Sequence, residues 1–492
     1  MRRSPMTKAN HLRRAIETAC FAAAISGLLG STAGAADPVP ADKSLVIVAP
    51  EKFHEGLRDY VKFKSQYLTT RLVALEEILK SNAGVDDPER LKRFLFGQWK
   101  NHKLGYVLLV GDRDTLPVRY MVLDRITPNA FDYAFYPSDL YYGALAHADG
   151  TFDDWNAEKE GFHAGYFGEV RGEKNKSEPI NFDRIHYRSQ VAVGRWPVST
   201  LDELKTVVAK SESYETSIRE GRHPAARNLC LFHVGGWVDA RSRLHELGER
   251  LPAGWKPEEF FFSGRGSRFS TPPPDAENIL KALNQGTGLC LHAGHGTETG
   301  WEGSPGRGPN GRTQMALTIK SIAELKNADR LPVILSAGCS TAYFAPLGPY
   351  QAYTDVEGNE HKGSDHGEVF TAPPPPPAPY QKRPIIAGLG KSILVQGPNG
   401  AVAYIGCNTG SQPCGLTLLD GFAEALAKSP HPRIGDCWVH AISYYYDKES
   451  LATLVPQPGE WYPPSIFFQG MKFMLFGDPS LPMAPPLADS TK

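Results

Sequence analysis

Gly288-Leu289-Cys290-Leu291-His292-Ala293-Gly294-His295-Gly296 and Leu331-Pro332-Val333-Ile334-Leu335-Ser336-Ala337-Gly338-Cys339-Ser340 are two apolar runs that stop abruptly at small residues. Each reads as a short strand buried on both faces, the pattern of a parallel sheet. In such a sheet the strand ends gather at one edge, where ligands bind. His295 and Cys339, 44 residues apart, are both delivered to that edge. Thiolate attack on a carbonyl needs an accessible Cys and a group that protonates the leaving amine, and His suits that work near neutral pH. The two residues are therefore a candidate nucleophilic dyad. The amides around Gly296 and Cys339 are candidate donors to a developing oxyanion. A buried structural thiol is the competing reading of Cys339. A metal site at His292 and His295 is disfavoured, because no Cys, Asp or Glu stands near them at zinc-ligand spacing. Residues three apart on a strand also face opposite ways, so His292 reads as a packed histidine beside the site.

Outward from these runs the chain alternates strands with helices, which implies a doubly wound α/β layer. Ser44–Ala49, Thr70–Leu75 and Tyr106–Val110 read as strands, with helices expected over residues 53–67 and 87–101. Residues 146–185 are polar and irregular, a long surface excursion. Strand character resumes at Val191–Arg195, and Thr200 with Glu203 forms a capping box for a helix reaching Arg219. A polar break near residues 220–227 separates two α/β subdomains, 37–225 and 226–485, with a tail over 486–492. Helices are expected over 240–251, 275–284, 319–327 and 385–396, and a strand over Ala401–Ile405. Residues 348–384 form an insertion with an uninterrupted proline run, Pro373–Pro377, which favours extended structure and reads as a disordered surface loop.

The 492 residues carry 41% hydrophobic and 22% charged residues and a net charge of -1, which suits a globular protein and gives no reason to propose a nucleic-acid partner. Arg2, Arg3, Lys8, Arg13 and Arg14 precede an apolar stretch from Ala15 to Leu29, then Ala33-Gly34-Ala35. Residues 1–36 therefore read as a secretory signal peptide, and the protein as exported, to the periplasm or beyond the cell. No later segment is apolar enough to span a bilayer. Beyond Cys20, six cysteines remain: Cys230, Cys290, Cys339, Cys407, Cys414 and Cys437. Cys230 and Cys290 sit in apolar runs as small hydrophobes. Cys407 and Cys414 flank a Gly/Ser/Pro turn and are the pair best placed for a disulfide.

The words around the dyad add a resemblance. Tyr106–Asp112 with Leu116-Pro117, Ser138–Tyr142, Val193-Gly194-Arg195 followed by Thr200–Leu204, His295–Trp301, Ala337-Gly338-Cys339 and Phe476–Leu481 follow one another as in the gingipain-type cysteine peptidases. The sequence resembles that family through nearly its whole length. The resemblance implies a caspase-like three-layer sandwich with mostly parallel sheets. It implies Cys339 as nucleophile, His295 as general acid/base, and the amides of Gly296 and Cys339 as the oxyanion site. Family members often bind calcium, so a structural calcium is expected, with no ligands placed and no cofactor needed for the chemistry.

The expected protein is thus an exported cysteine endopeptidase, a monomer acting on proteins or peptides, with Asp239, Glu298 and Trp301 as candidate pocket residues. Three departures stand out. Gly338 replaces the usual Ala before the nucleophile. Val234 stands where arginine-specific gingipains carry a carboxylate beside the catalytic His, and Ser242 where their pocket acid falls, with Asp239 the nearest substitute. Val234, Ser242 and the proline-rich insertion motivate the alternative of a catalytically silent binding or scaffold protein on the same fold.

Overall fold

The computed structural model describes residues 43–122, 135–155, 187–236, 238–263, 268–307, 313–346, 353–354, 360–361, 385–453 and 469–484. The signal-peptide reading, most of the polar excursion, nearly all of the proline-rich insertion and the C-terminal tail fall outside them.

Ten strands build one sheet. In chain order they are β1 (Ser44–Ala49), β2 (Thr69–Ala74), β3 (Leu104–Val110), β4 (Ala192–Trp196), β5 (Asn228–Gly235), β6 (Lys256–Phe261), β7 (Leu289–Gly294), β8 (Val333–Ser336), β9 (Ala403–Cys407) and β10 (Phe473–Phe476). Their order across the sheet is β2-β1-β3-β4-β10-β9-β8-β7-β5-β6. Pairing is parallel except between β9 and β10. Residues along one strand alternate between two separate cores: Val46 and Val48 belong to one, Leu45, Ile47 and Ala49 to the other. Period-2 alternation with apolar residues at every position is what a sheet covered on both faces requires. The architecture is the expected three-layer, caspase-like α/β sandwich with a mostly parallel sheet.

The helices follow the sequence pattern where caps are explicit. Thr200 accepts from the Glu203 amide at 3.2 Å, Glu203 reaches back to the Ser199 amide, and the helix runs Leu201–Arg219 as read. One expected helix is absent. Residues 319–327 hold only a short 3-10 turn, Lys320–Glu324. The backbone there is drawn away, since the Lys326 amide donates to Asn284 Oδ1 and the Asn327 side chain clamps Gly400. Two helices, Leu416–Lys428 and Ile434–Lys448, pack on the sheet with one apolar face each.

Several sequence words that carried the resemblance meet at one buried guanidinium. Arg195 forms a two-point ion pair with Asp139 (2.8 and 2.7 Å) and donates to the carbonyls of Gly111, Leu116 and Pro117. A second buried cluster ties the chain end to the first helix, His54–Lys64. Asp478 accepts from Tyr60 Oη and Ser480, and lies 3.2 Å from Lys64 Nζ.

Removing one partner of a fully desolvated ion pair leaves the other charge uncompensated. Arg195→Leu is therefore expected to destabilise the protein by about 3–5 kcal/mol, read as a lower denaturant midpoint at unchanged slope. A midpoint equal to wild type would show that the Arg195 hub contributes nothing.

Candidate active site

The site lies where β5, β7, β8 and β9 end together. All four run parallel, so residues 236, 238–240, 295–296, 337–340 and 408–412 leave the same edge of the sheet. His292 of β7 pairs in register with Ser336 of β8. His295 and Cys339 each follow three residues later, both half-buried. Both line one cavity of about 80 Å³, together with His233, Gly236, Val238, Ala240, Ala293, Gly294, Ala337, Ser411, Gln412, Pro413 and Leu416.

Cys339 sits on a strained turn. Ser340, the next residue, has φ of 54° in the left-handed region. A non-glycine residue there costs on the order of 1–3 kcal/mol and persists only when its surroundings impose it. Here they do. The Ser340 amide donates to Thr409 O at 2.8 Å, and the Ser336 hydroxyl holds Thr341 Oγ1 (3.1 Å) and His292 Nδ1 (2.8 Å). The Cys339 thiol donates to the Ser411 carbonyl at 3.5 Å. Burial pushes this thiol above its ordinary range, the charge of buried Lys472 pulls it down, and Glu302 pushes it up. Burial drives Cys230, Cys407 and Cys414 further, to about 12, and Cys290 and Cys437 far above the ordinary thiol range. All six cysteines are free, so the Cys407–Cys414 disulfide does not form; Cys407 is committed to β9 and fully buried.

The glycine before the nucleophile has a steric cause. A Cβ at Gly338 would lie 2.9 Å from His292 Cε1 and 3.1 Å from Thr341 Cγ2. His292 is fixed in place, fully buried and stacked on Trp301 with ring centroids 4.1 Å apart and planes 2° from parallel. Trp301 in turn donates to Tyr404 Oη at 3.1 Å. His292 is thus a packed, neutral histidine, its pKa driven far down by burial. A Cβ at Gly296 would come within 2.9 Å of Cys339 O, so the backbones carrying the two candidate oxyanion amides touch.

The three candidate pocket residues are not on the cavity wall. Trp301 has no exposed surface and serves as the floor under His292. Glu298 is exposed at the tip of the hairpin that follows His295. Asp239 is held by Arg241 through Nε–Oδ1 (2.8 Å) and Nη2–Oδ2 (2.7 Å). Ser242 accepts from Arg268, outside the cavity. Val234 is buried among apolar side chains and offers His295 no polar partner.

Two groups escaped the sequence reading. Gly296 pairs with Trp301 across the hairpin, and the Glu302 amide donates to His295 O at 3.2 Å. Glu302 is therefore the cross-strand neighbour of His295, and alternation puts it on the face opposite Trp301. Lys472 is buried close enough to Cys339 for its charge to act on the thiol, with Nζ donating to Gly410 O at 3.1 Å. A lone charge in the apolar run Gly470–Phe476 was its only signal. Among the described residues no group of three or more His, Cys, Asp and Glu side chains is arranged to hold a metal ion, so none is assigned to calcium.

A half-buried thiol and a histidine at adjoining strand ends, on a caspase-like sandwich, are the parts that a cysteine-type peptidase, a hydrolase, presents. The family model "Peptidase family C25" matches residues 39–484, and the chain belongs to that family. It is similar to Gingipain R2 of Porphyromonas gingivalis, with 22% identity over 303 residues, 61% of this chain and 32% of that protein. Gingipain R1 of the same organism matches at 22% over 61% of this chain and 24% of its own length. The chain thus spans about a third or less of the curated relatives it matches. The crystal structure of the Arg-specific cysteine proteinase gingipain R aligns over 90% of this chain and 78% of that one, with 18% identity and a TM-score of 0.57. The complex of Porphyromonas gingivalis RgpB pro- and mature domains aligns over 89% and 79%, at 18% identity and a TM-score of 0.55. These structures share its fold.

Gly338→Ala is expected to cost about 1–3 kcal/mol, as overpacking does. In a double-mutant cycle with His292→Ala the penalty should shrink, because the clash partner is gone. Strictly additive losses would separate Gly338 from His292.

Proposed function

We propose that this protein is an exported cysteine endopeptidase that cleaves protein or peptide substrates as a monomer through an acyl-enzyme on Cys339. The single observation that carries the reading is that His295 and Cys339 line the same cavity at the ends of parallel strands. His295 takes the Cys339 proton. The thiolate attacks the scissile carbonyl, and the oxyanion accepts from the amides of Gly296 and Cys339. Collapse expels the amine, which leaves with the proton carried by His295. Water, deprotonated by His295, then attacks the thioester, releases the acid and restores the thiol. No cofactor enters any step. Export is supported by the basic and apolar N-terminal stretch, and no helix among the described residues is long and apolar enough to cross a membrane.

A carboxylate across the hairpin from His295 is placed to orient the ring for transfer of the thiol proton. With Val234 at the position of the family's acid, Glu302 takes this positioning role from across the hairpin.

Cys339→Ala and His295→Ala should each abolish cleavage of a mixed peptide library and leave the thermal midpoint near wild type. Activity surviving both changes would sink the assignment. Glu302→Gln is expected to lower kcat/KM roughly tenfold, about 1.4 kcal/mol. Glu302 raises the pKa of the Cys339 thiol, so removing its charge lowers that pKa and moves the acid limb of the rate profile to lower pH. A profile superimposable on wild type would leave His295 without this partner.

A further inference from the structure

We propose that the cavity beside Cys339 receives an uncharged apolar side chain, about the size of valine or leucine, from the residue whose carbonyl is attacked. The proposal rests on the peptidase reading and assigns its substrate class. In the acyl-enzyme that residue is bonded to Sγ, so its side chain projects within a few bonds of the sulfur and enters the cavity that Cys339 itself lines.

Size comes first. The cavity holds about 80 Å³. An apolar cavity of about 150 Å³ binds benzene, so roughly half that volume suits a branched aliphatic chain of three or four carbons. The walls agree. Val238, Ala240, Ala293, Ala337, Pro413 and Leu416 present mostly carbon.

Charge decides the rest. Among the described residues two carboxylates flank the cavity without lining it, Glu302 across the hairpin from His295 and, between Val238 and Ala240, Asp239. Its two oxygens are bound by Arg241, whose hydrogen bonds hold its pKa down at about 2. That negative charge is already matched, and 57% of its side chain faces solvent. Among the described residues a guanidinium or ammonium group entering the cavity would meet no carboxylate on the wall, and an ion left unpaired is costly to desolvate. An acidic side chain fares no better. Arg241 is engaged by Asp239, and His233 is held neutral by burial, with Nδ1 donating to Ala293 O at 3.3 Å.

The remaining polar atoms are uncharged. Ser411 Oγ and Gln412 Oε1 are buried without hydrogen-bond partners, on residues 8% and 6% exposed. Both atoms have almost no surface open to the cavity and carry no charge, so neither offers an ionic partner to an entering side chain.

The test uses the full-chain protein and peptides ending in a fluorogenic amide, varied only at the residue before that amide. Valine, leucine and methionine substrates should exceed arginine, lysine, aspartate and glutamate by at least tenfold in kcat/KM. Arginine or lysine equal to or better than leucine would overturn the proposal. Val238→Asp puts a carboxylate on a partly exposed wall position, with Val238→Asn as the uncharged control. The Asp variant should raise the arginine-to-leucine ratio about tenfold over the Asn variant. An unchanged ratio would mean that the side chain does not enter this cavity. No cleavage of any substrate, with Cys339 unlabelled by a thiol-reactive peptide, would remove the peptidase reading itself and this proposal with it.

Discussion

His292 lies opposite Ser336, and the site depends on that one register. Because β7 and β8 are parallel and paired there, His295 and Cys339 emerge side by side, each three residues beyond the pair. A slip of one residue would turn alternate side chains to the other face. Such a slip is opposed on both sides of the sheet. Leu289, Leu291 and Ala293 fill one core with Val333 and Leu335, while Cys290 and Ile334 fill the other. The Ser336 hydroxyl then fastens His292 and Thr341 around the strained Ser340 turn, and Cys339 is presented by packing already required elsewhere.

The same logic explains why short, scattered words carried the family resemblance. Asp139, Gly111, Leu116, Pro117 and Arg195 lie far apart in sequence and touch one another around one buried guanidinium. The Phe476–Leu481 word is anchored by Asp478, which Tyr60 and Lys64 reach from the first helix. Each buried charge is matched by an opposite charge or by several polar atoms, so the words are constrained by each other rather than by local conformation.

The departures from the family have separate causes. Gly338 is matched to His292, whose ring occupies the space that a side chain before Cys339 would fill. Val234 completes an apolar core, and Glu302 on the following hairpin is the cross-strand neighbour of His295. Neither was legible beforehand, because cross-strand pairing and ring stacking leave no mark in spacing. Edge strand β6, Lys-Pro-Glu-Glu-Phe-Phe, also escaped notice, since charge and proline are what an exposed sheet edge carries.

The sequence by itself determined the layered α/β class and most strand positions, and it singled out His295 and Cys339 as the candidate pair. Continuous apolar runs, caps and small residues at strand ends are local properties that the chain displays directly. Only the tertiary structure decided which residues surround the dyad. It moved Trp301 from pocket wall to floor, bound Asp239 to Arg241, left Cys407 and Cys414 unpaired, and brought the charge of Lys472 to act on the thiol. The reason is physical. A side chain's position along the chain sets its type and strand, while its partners are set by which strand ends the parallel register brings together.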